Sequence, residues 1–164
     1  MSELQDLMDR SARNAGPHLR RTFELPDHAL SAAALVRYWG SGQTIALATL
    51  GQDGTPRLAP VDSLLRGTEL WVPTASDAAK VRHIQARPRV AFTHWAANLI
   101  AVNGQGVASL VTPTSPEFAS IDATYVGTRA RWFVPYRSAG TGVYLKIDVN
   151  SLLAWAGDPA AFPD

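Results

Sequence analysis

Cysteine is absent from the 164 residues. Without a thiol there is no disulfide framework, no thiolate zinc site, no cysteine-bound iron–sulfur cluster and no cysteine nucleophile. Charge is scarce as well as balanced. Only 18% of residues are charged, and 15 basic side chains against 14 acidic ones leave a net charge of +1. A dedicated binder of nucleic acid or of a membrane surface needs a one-sided field that this composition lacks. Lysine is nearly missing: Lys80 and Lys146 stand against 13 arginines. No apolar run approaches the ~20 residues that span a bilayer. The first residues, to Arg13, interleave charges with Leu4, Leu7 and Met8, unlike the apolar centre of a secretory signal. The expected setting is the cytoplasm.

What is present suits one domain of ordinary size. Hydrophobic residues make up 46% of the chain, enough for a core that needs no staples. Ser2 to Arg13 reads as a short amphipathic helix, ended by Gly16-Pro17, that frays or docks on a partner. A second helix is expected from Asp27, as N-cap, to Trp39, with Gly40 as its stop.

From Gln43 the period changes from helical to two. Thr44 to Leu50 reads as a strand, Gly51 to Gly54 as a turn, and Pro56 to Leu65 as the returning strand. Pro60 within that strand points to an edge or a bulge. Glu69 to Pro73 is a third strand, and Ser76 to Ala86 a helix closed by Arg87-Pro88. Val90 to Trp95 and Leu99 to Val111 are further strands. Gly104 and Gly106 mark a bulge or a close backbone approach in the second. Pro113 to Tyr125 looks helical, with Pro116 in its first turn and Gly127 past its end. Thr128 to Gly142 is irregular, aromatic and Arg-bearing. Val143, Leu145, Ile147 and Val149 then alternate with Tyr144, Lys146 and Asp148 as a half-buried strand. Six strands with a few short helices predict a mainly β fold, an antiparallel barrel with appended helices; a parallel sheet would need a helix between each strand pair. The expected division is an arm over 1–26, the barrel over 27–156 and a tail over 157–164.

Catalytic motifs are lacking. The four histidines, at 18, 28, 83 and 94, share no metal-ligand spacing. His83 reads as part of a solvated helix face, and His94, alternating with Phe92, as a satisfied and partly buried side chain. There is no Gly-x-Ser-x-Gly elbow and no Walker loop. Gly40-Ser41-Gly42 precedes a strand instead of following one, so it is no dinucleotide fingerprint. Asp62 and Glu69 lie on separate strands with nothing to couple them.

The informative stretch is Thr74 to Arg82. A strand that ends at Pro73, with a helix starting at Ser76 or Asp77, aims backbone N–H groups and the hydroxyls of Thr74 and Ser76 at one point, which suits an anion. Lys80 leans back toward that helix start, where its charge opposes the helix dipole. A bound anion resolves the conflict; an exposed lysine on a short helix is the other reading. Arg57, beside the Gly51–Gly54 turn among apolar neighbours, offers a planar fork for phosphate oxygens. Its plainer role is a surface cation.

Several of these pieces occur together in one known family. Leu47-Ala48-Thr49, Asp53-Gly54-x-Pro56-Arg57, the strand ending at Thr74, Ser76 to Lys80, and Arg87-Pro88-Arg89-Val90 with the strand to Trp95 follow one another as they do there. Over Ile45 to Val111 the chain resembles the pyridoxamine 5′-phosphate oxidase-like, FMN-binding split barrels. The resemblance implies a six-stranded antiparallel split barrel that works as a homodimer, with two cofactors at the dimer interface. It implies that Arg57 and Lys80 hold the FMN phosphate, helped by Thr74, Ala75 and Ser76 at the strand end. The segment Arg57 to Asp62 would lie along the isoalloxazine, with Pro60 and Val61 nearest the ring. Asn98 or Leu99 would approach the ring from the partner subunit. The chain also departs from the namesake oxidases. It has Ala79-Lys80 in place of their Arg-Lys pair and Asp62 in place of a lysine, and it lacks their Arg-Leu-x-Pro ending.

The expected function is therefore an FMN-dependent oxidoreductase acting on an unspecified small molecule, with pyridoxal phosphate synthesis disfavoured. Protein groups then only bind and orient the flavin, which fits the lack of a catalytic base. The stretch containing Arg129, Arg131, Trp132, Phe133, Tyr136 and Arg137 is assigned to an interface segment anchored by aromatics, the alternative being the mouth of the site. Related barrels bind the deazaflavin F420, which is the second cofactor reading. A third, of another class, is a non-catalytic flavin- or haem-binding module, with His94 as its one hint of haem.

Overall fold

In the computed structural model, which describes residues 2–40, 42–97, 99–126 and 133–164, the period-two stretches become one closed antiparallel barrel. Its strands are β1 (Gln43–Leu50), β2 (Pro56–Arg66), β3 (Glu69–Ala75), β4 (Arg89–Ala96), β5 (Ile100–Val111) and β6 (Gly142–Ala156). Their order around the barrel is β1-β2-β3-β6-β5-β4. The helices are α1 (Ser2–Asn14), α2 (Pro17–Thr22), α3 (Ala32–Trp39), α4 (Ala79–Ala86), α5 (Phe118–Val126) and α6 (Val134–Ser138). None of the described helices is long and apolar enough to cross a membrane.

Alternate strand residues fill the interior. Ile45 and Leu47, Leu70 and Val72, Val90 and Phe92, Val102, Leu145 and Ile147 are all buried there. The apolar stripe of α1 closes one side of this core: Leu4, Leu7 and Met8 are buried. Ser11 fastens the helix, donating to the Leu7 carbonyl and accepting the Leu152 backbone N–H at 2.9 Å. The helix thus docks on its own barrel, where the sequence left a frayed end or a partner open. A second cluster, with Trp71, Ile121, Tyr125, Phe133 and Tyr144, lies outside the barrel beneath α5 and α6.

One seam of the barrel is short. β2 pairs with β1 along its length, from Gln43↔Ser63 to Leu50↔Pro56. It pairs with β3 only at Leu64↔Trp71, Leu65↔Leu70 and Arg66↔Glu69. β3 turns away along β6, from Glu69↔Asp148 to Ala75↔Gly142. Residues 56–63 of β2 therefore keep one edge unpaired, and Pro60 sits on that edge, where its missing N–H costs no ladder bond.

The helix starts differ from expectation. α3 begins at Ala32, capped by Ser31, whose hydroxyl accepts from the Ala34 N–H. Asp27 is not its cap, because the preceding segment pairs with β6: the Leu30 N–H donates to the Ala154 carbonyl and the Ala156 N–H to that of His28. α5 begins at Phe118, after turns at Thr112–Ser115 and Ser115–Phe118, so Pro116 lies before it. Gly127 lies outside the described residues. Pro17 opens α2 instead of only ending α1, since a proline loses nothing at a first helical position.

Candidate functional site

Where β2 and β3 part, a cleft of about 500 Å³ opens. Pro60, Val61 and Asp62 line it from the free edge of β2, Thr74 and Ala75 from the end of β3, and Lys80 from α4. Six residues singled out in sequence thus face one space. Arg57 lies next door, in a recess of about 140 Å³ that it shares with Ala79, Lys80 and His83. Lys80 borders both spaces. Ser76 does not join them: it is exposed, and its backbone N–H donates to the Thr141 carbonyl at 2.8 Å. Asn98 lies outside the described residues, and Leu99 is exposed beyond the β4 end.

The expected helix start at Ser76 or Asp77 is displaced to Ala79. The β3–β6 ladder continues to Ala75↔Gly142 and a turn from Ala75 to Ala78 follows. Lys80 is therefore the second helical residue, and the cap residue Ala78 offers no side-chain acceptor. This end of α4 has spare N–H groups and no acidic residue in its first turn.

Lys80 is short of partners. Its three donors have one distant acceptor, Thr74 Oγ1 at 3.5 Å, and among the described residues no carboxylate pairs with it. Burial pulls its pKa below the ordinary lysine value. Thr74 itself is buried. A half-buried ammonium beside a buried hydroxyl and a helix start fits the phosphate of a cofactor. Arg57 is only lightly engaged, with Asp53 Oδ2 at 3.3 Å. An exposed pair of this kind contributes roughly 0–1 kcal/mol, so a phosphate recruits the guanidinium easily. Asp62 is held more firmly, accepting from Thr44 Oγ1 at 3.1 Å and from the Tyr125 hydroxyl at 3.2 Å.

His83 corrects the sequence reading. It is half-buried, not on a solvated face, and its Nδ1 lies 2.9 Å from Thr49 Oγ1. The spacing Lys80–His83, one helical turn, was the signal available for it. His94 is the satisfied, buried histidine expected, with Nδ1 2.8 Å from the Thr44 carbonyl and Nε2 2.8 Å from the Tyr38 hydroxyl. The described part of the aromatic stretch anchors α6. Phe133 is fully buried, and Arg137 Nε donates to the buried Asp122 Oδ2 at 2.6 Å. The Tyr144 hydroxyl donates to Asp122 Oδ1 at 3.1 Å. Burial first, and then the Asp122 charge, raise the Tyr144 pKa far above the ordinary phenol range. This anchoring puts Tyr136 on the wall of the cleft. Arg129, Arg131 and Trp132 lie outside the described residues.

A groove of about 520 Å³ between α1, α2 and β6 matches the cleft in volume. It holds none of the residues expected at the site, so volume alone does not choose between them.

Several proteins of known structure share this fold. A conserved hypothetical protein from Mycobacterium tuberculosis superposes with TM-score 0.65 at 25% identity, over 85% of this chain and 92% of that one. An F420 reductase superposes with TM-score 0.53 at 21% identity, over 66% and 87%. An FAD-binding protein from Mesorhizobium loti gives TM-score 0.60 at 15% identity, over 79% and 97%. The last two likenesses speak for the fold alone. No curated protein matches the sequence. The model of the pyridoxamine 5′-phosphate oxidase family matches residues 32–155. That span takes in the barrel and both walls of the cleft, and on it the chain belongs to the pyridoxamine 5′-phosphate oxidase family.

Proposed function

We propose that the protein is an FMN-dependent oxidoreductase, working as a homodimer on a small molecule stacked against the flavin. The observation that carries the reading is Lys80, a half-buried cation short of acceptors at the junction of the cleft and the Arg57 recess. In this reading Lys80 and Arg57 hold the phosphate, with the Thr74 hydroxyl beside them. The unpaired edge of β2 at Pro60 and Val61 faces the ring, offering flat backbone with few competing ladder bonds. Tyr136 and Asp62 border the ring from the other sides of the cleft. A bound flavin supplies the two-electron chemistry; the protein binds, orients and shields it. The Asp62 carboxylate in the cleft disfavours a second phosphate there, so a phosphorylated vitamer is not the proposed substrate.

The dimer rests on the outer face of β2, β1, β4 and β5. Leu58, Trp95 and Val107 are 70%, 66% and 42% exposed on it, and register aligns Leu58 with Ala48, Ala91 and Gln105 across it. The second cofactor reading is F420; an F420 reductase shares the fold. A haem reading has less support, because both ring nitrogens of His94 are engaged.

The purified protein tests this directly on a sizing column with light scattering and full-spectrum absorbance. The expected result is a dimer mass carrying a flavin spectrum, with FMN identified by mass spectrometry after denaturation. A deazaflavin or a Soret band moves the assignment to the corresponding rival. A colourless monomer that takes up no added flavin contradicts it.

A further inference from the structure

We infer that His83 is a third ligand of the cofactor phosphate and that its protonation makes cofactor retention depend on pH. This rests on the flavin reading above. His83 lies one turn after Lys80 on α4, so both side chains reach the same side of the helix. It shares the 140 Å³ recess with Arg57, Ala79 and Lys80, and it meets Arg57 again in the neighbouring hollow over the Gly51–Asp53 turn. Its ring is held from behind by Thr49 Oγ1, 2.9 Å from Nδ1. Thr49 is buried and projects inward from β1. Nε2 has no partner among the described residues and is the nitrogen left for a ligand.

Ala79 lines the same recess with a methyl group that offers no competing polar atom. The charged groups around the ring are Lys80 on its own helix, Arg57 on β2 and Asp53 on the turn. The Arg87 guanidinium, at the end of α4, donates to the Gln52 carbonyl of the same turn. Three of these four are cations, so a dianionic phosphate among them is attracted from several sides. An imidazole is the side chain that gains or loses its charge around neutral pH. Protonated, Nε2 donates a charge-assisted hydrogen bond to a phosphate oxygen; deprotonated, with Thr49 donating to Nδ1, it donates only as a neutral N–H.

The test is FMN binding to the full-length protein, followed by flavin fluorescence, for wild type and His83→Gln at about pH 5.5 and about pH 8.5, on either side of the imidazole range. Glutamine keeps a polar partner for Thr49 without a titratable charge. The quantity read is the wild-type-to-variant affinity ratio, in which the titration of FMN itself cancels. The expected ratio is about tenfold at the lower pH and within about twofold at the higher, the low end for a charged hydrogen bond. Riboflavin, which lacks the phosphate, should show no ratio at either pH. His83→Lys should bind FMN tightly, with an affinity ratio to His83→Gln that is similar at both pH values. A ratio that is the same at both pH values overturns the role of His83 and leaves the cleft assignment standing. FMN binding no tighter than riboflavin overturns both.

Discussion

Lys80 is where folding and function pull apart. Burial lowers its pKa from the ordinary lysine value, so between the lowered and the ordinary value the unfolded chain binds more protons than the folded one. Stability therefore rises with pH through that window, and at neutral pH the charged side chain costs the cofactor-free protein stability. Lys80→Met should raise the unfolding temperature without cofactor, by roughly 2–4 °C for each kcal/mol relieved. It should also shrink the further rise that added FMN gives the wild type. Thermal unfolding with and without FMN checks both. A variant less stable without cofactor, or stabilised by FMN as much as the wild type, contradicts the role given to Lys80. Lys146, the other lysine, has no such tension: it pairs with Glu69 at 2.9 Å, and the Glu69 hydrogen bond first raises its pKa.

At the level of elements, the strands were legible in the sequence because alternation is a local signal, and the barrel followed from their number. What escaped was set by pairing at a distance. β6 continues past Val149 to Ala156, but its inward positions change from odd to even. Gln105 pairs with Ser151 and Gly106 with Val149, leaving Asn150 as the extra residue of a bulge. The simple alternation breaks at that point, so the sequence pattern ended there. The start of α4 was misplaced for a similar reason, since Thr141 claims the Ser76 N–H. Six of the residues singled out in sequence line one cleft, whereas the half-buried setting of His83 depends on Thr49, 34 positions away, and is not legible locally.

Of the two glycines expected at a bulge or a close backbone approach, Gly106 adjoins the bulge and the Asp148 backbone, while Gly104 makes room for a side chain. Gly104 stands opposite Phe92 in the β4–β5 ladder, and a Cβ there would run into the Phe92 ring. Gly104→Ala should destabilise by about 1–3 kcal/mol, as overpacking of a filled core does. Phe92→Leu in the same chain should recover part of that loss, although alone it removes buried volume. Chemical denaturation of the two single variants and the double variant reads the coupling. Strict additivity of the two losses contradicts the packing account.

For the whole molecule, the scarcity of charge takes on a meaning. The row Leu58, Ala48, Ala91 and Gln105 across the outer face of β2, β1, β4 and β5 carries no charge, and Leu58 and Trp95 stand exposed on that face. An exposed apolar patch of this kind marks an interaction surface, and a second copy of the chain is the proposed occupant. The cleft at the β2–β3 seam borders that face through Pro60 and Asp62, so the partner would help to enclose a bound ring. The central claim is that this cleft holds a flavin by its phosphate. Its most direct test is calorimetric titration of FMN and riboflavin into the cofactor-free wild type and into Arg57→Ala/Lys80→Ala. The prediction is that FMN binds the wild type much more tightly than riboflavin does. The double substitution should remove most of that advantage, at a cost of about 3–6 kcal/mol, two charged hydrogen bonds at roughly 1.5–3 kcal/mol each, with the fold intact by circular dichroism. Unchanged FMN affinity in the folded double variant would contradict it.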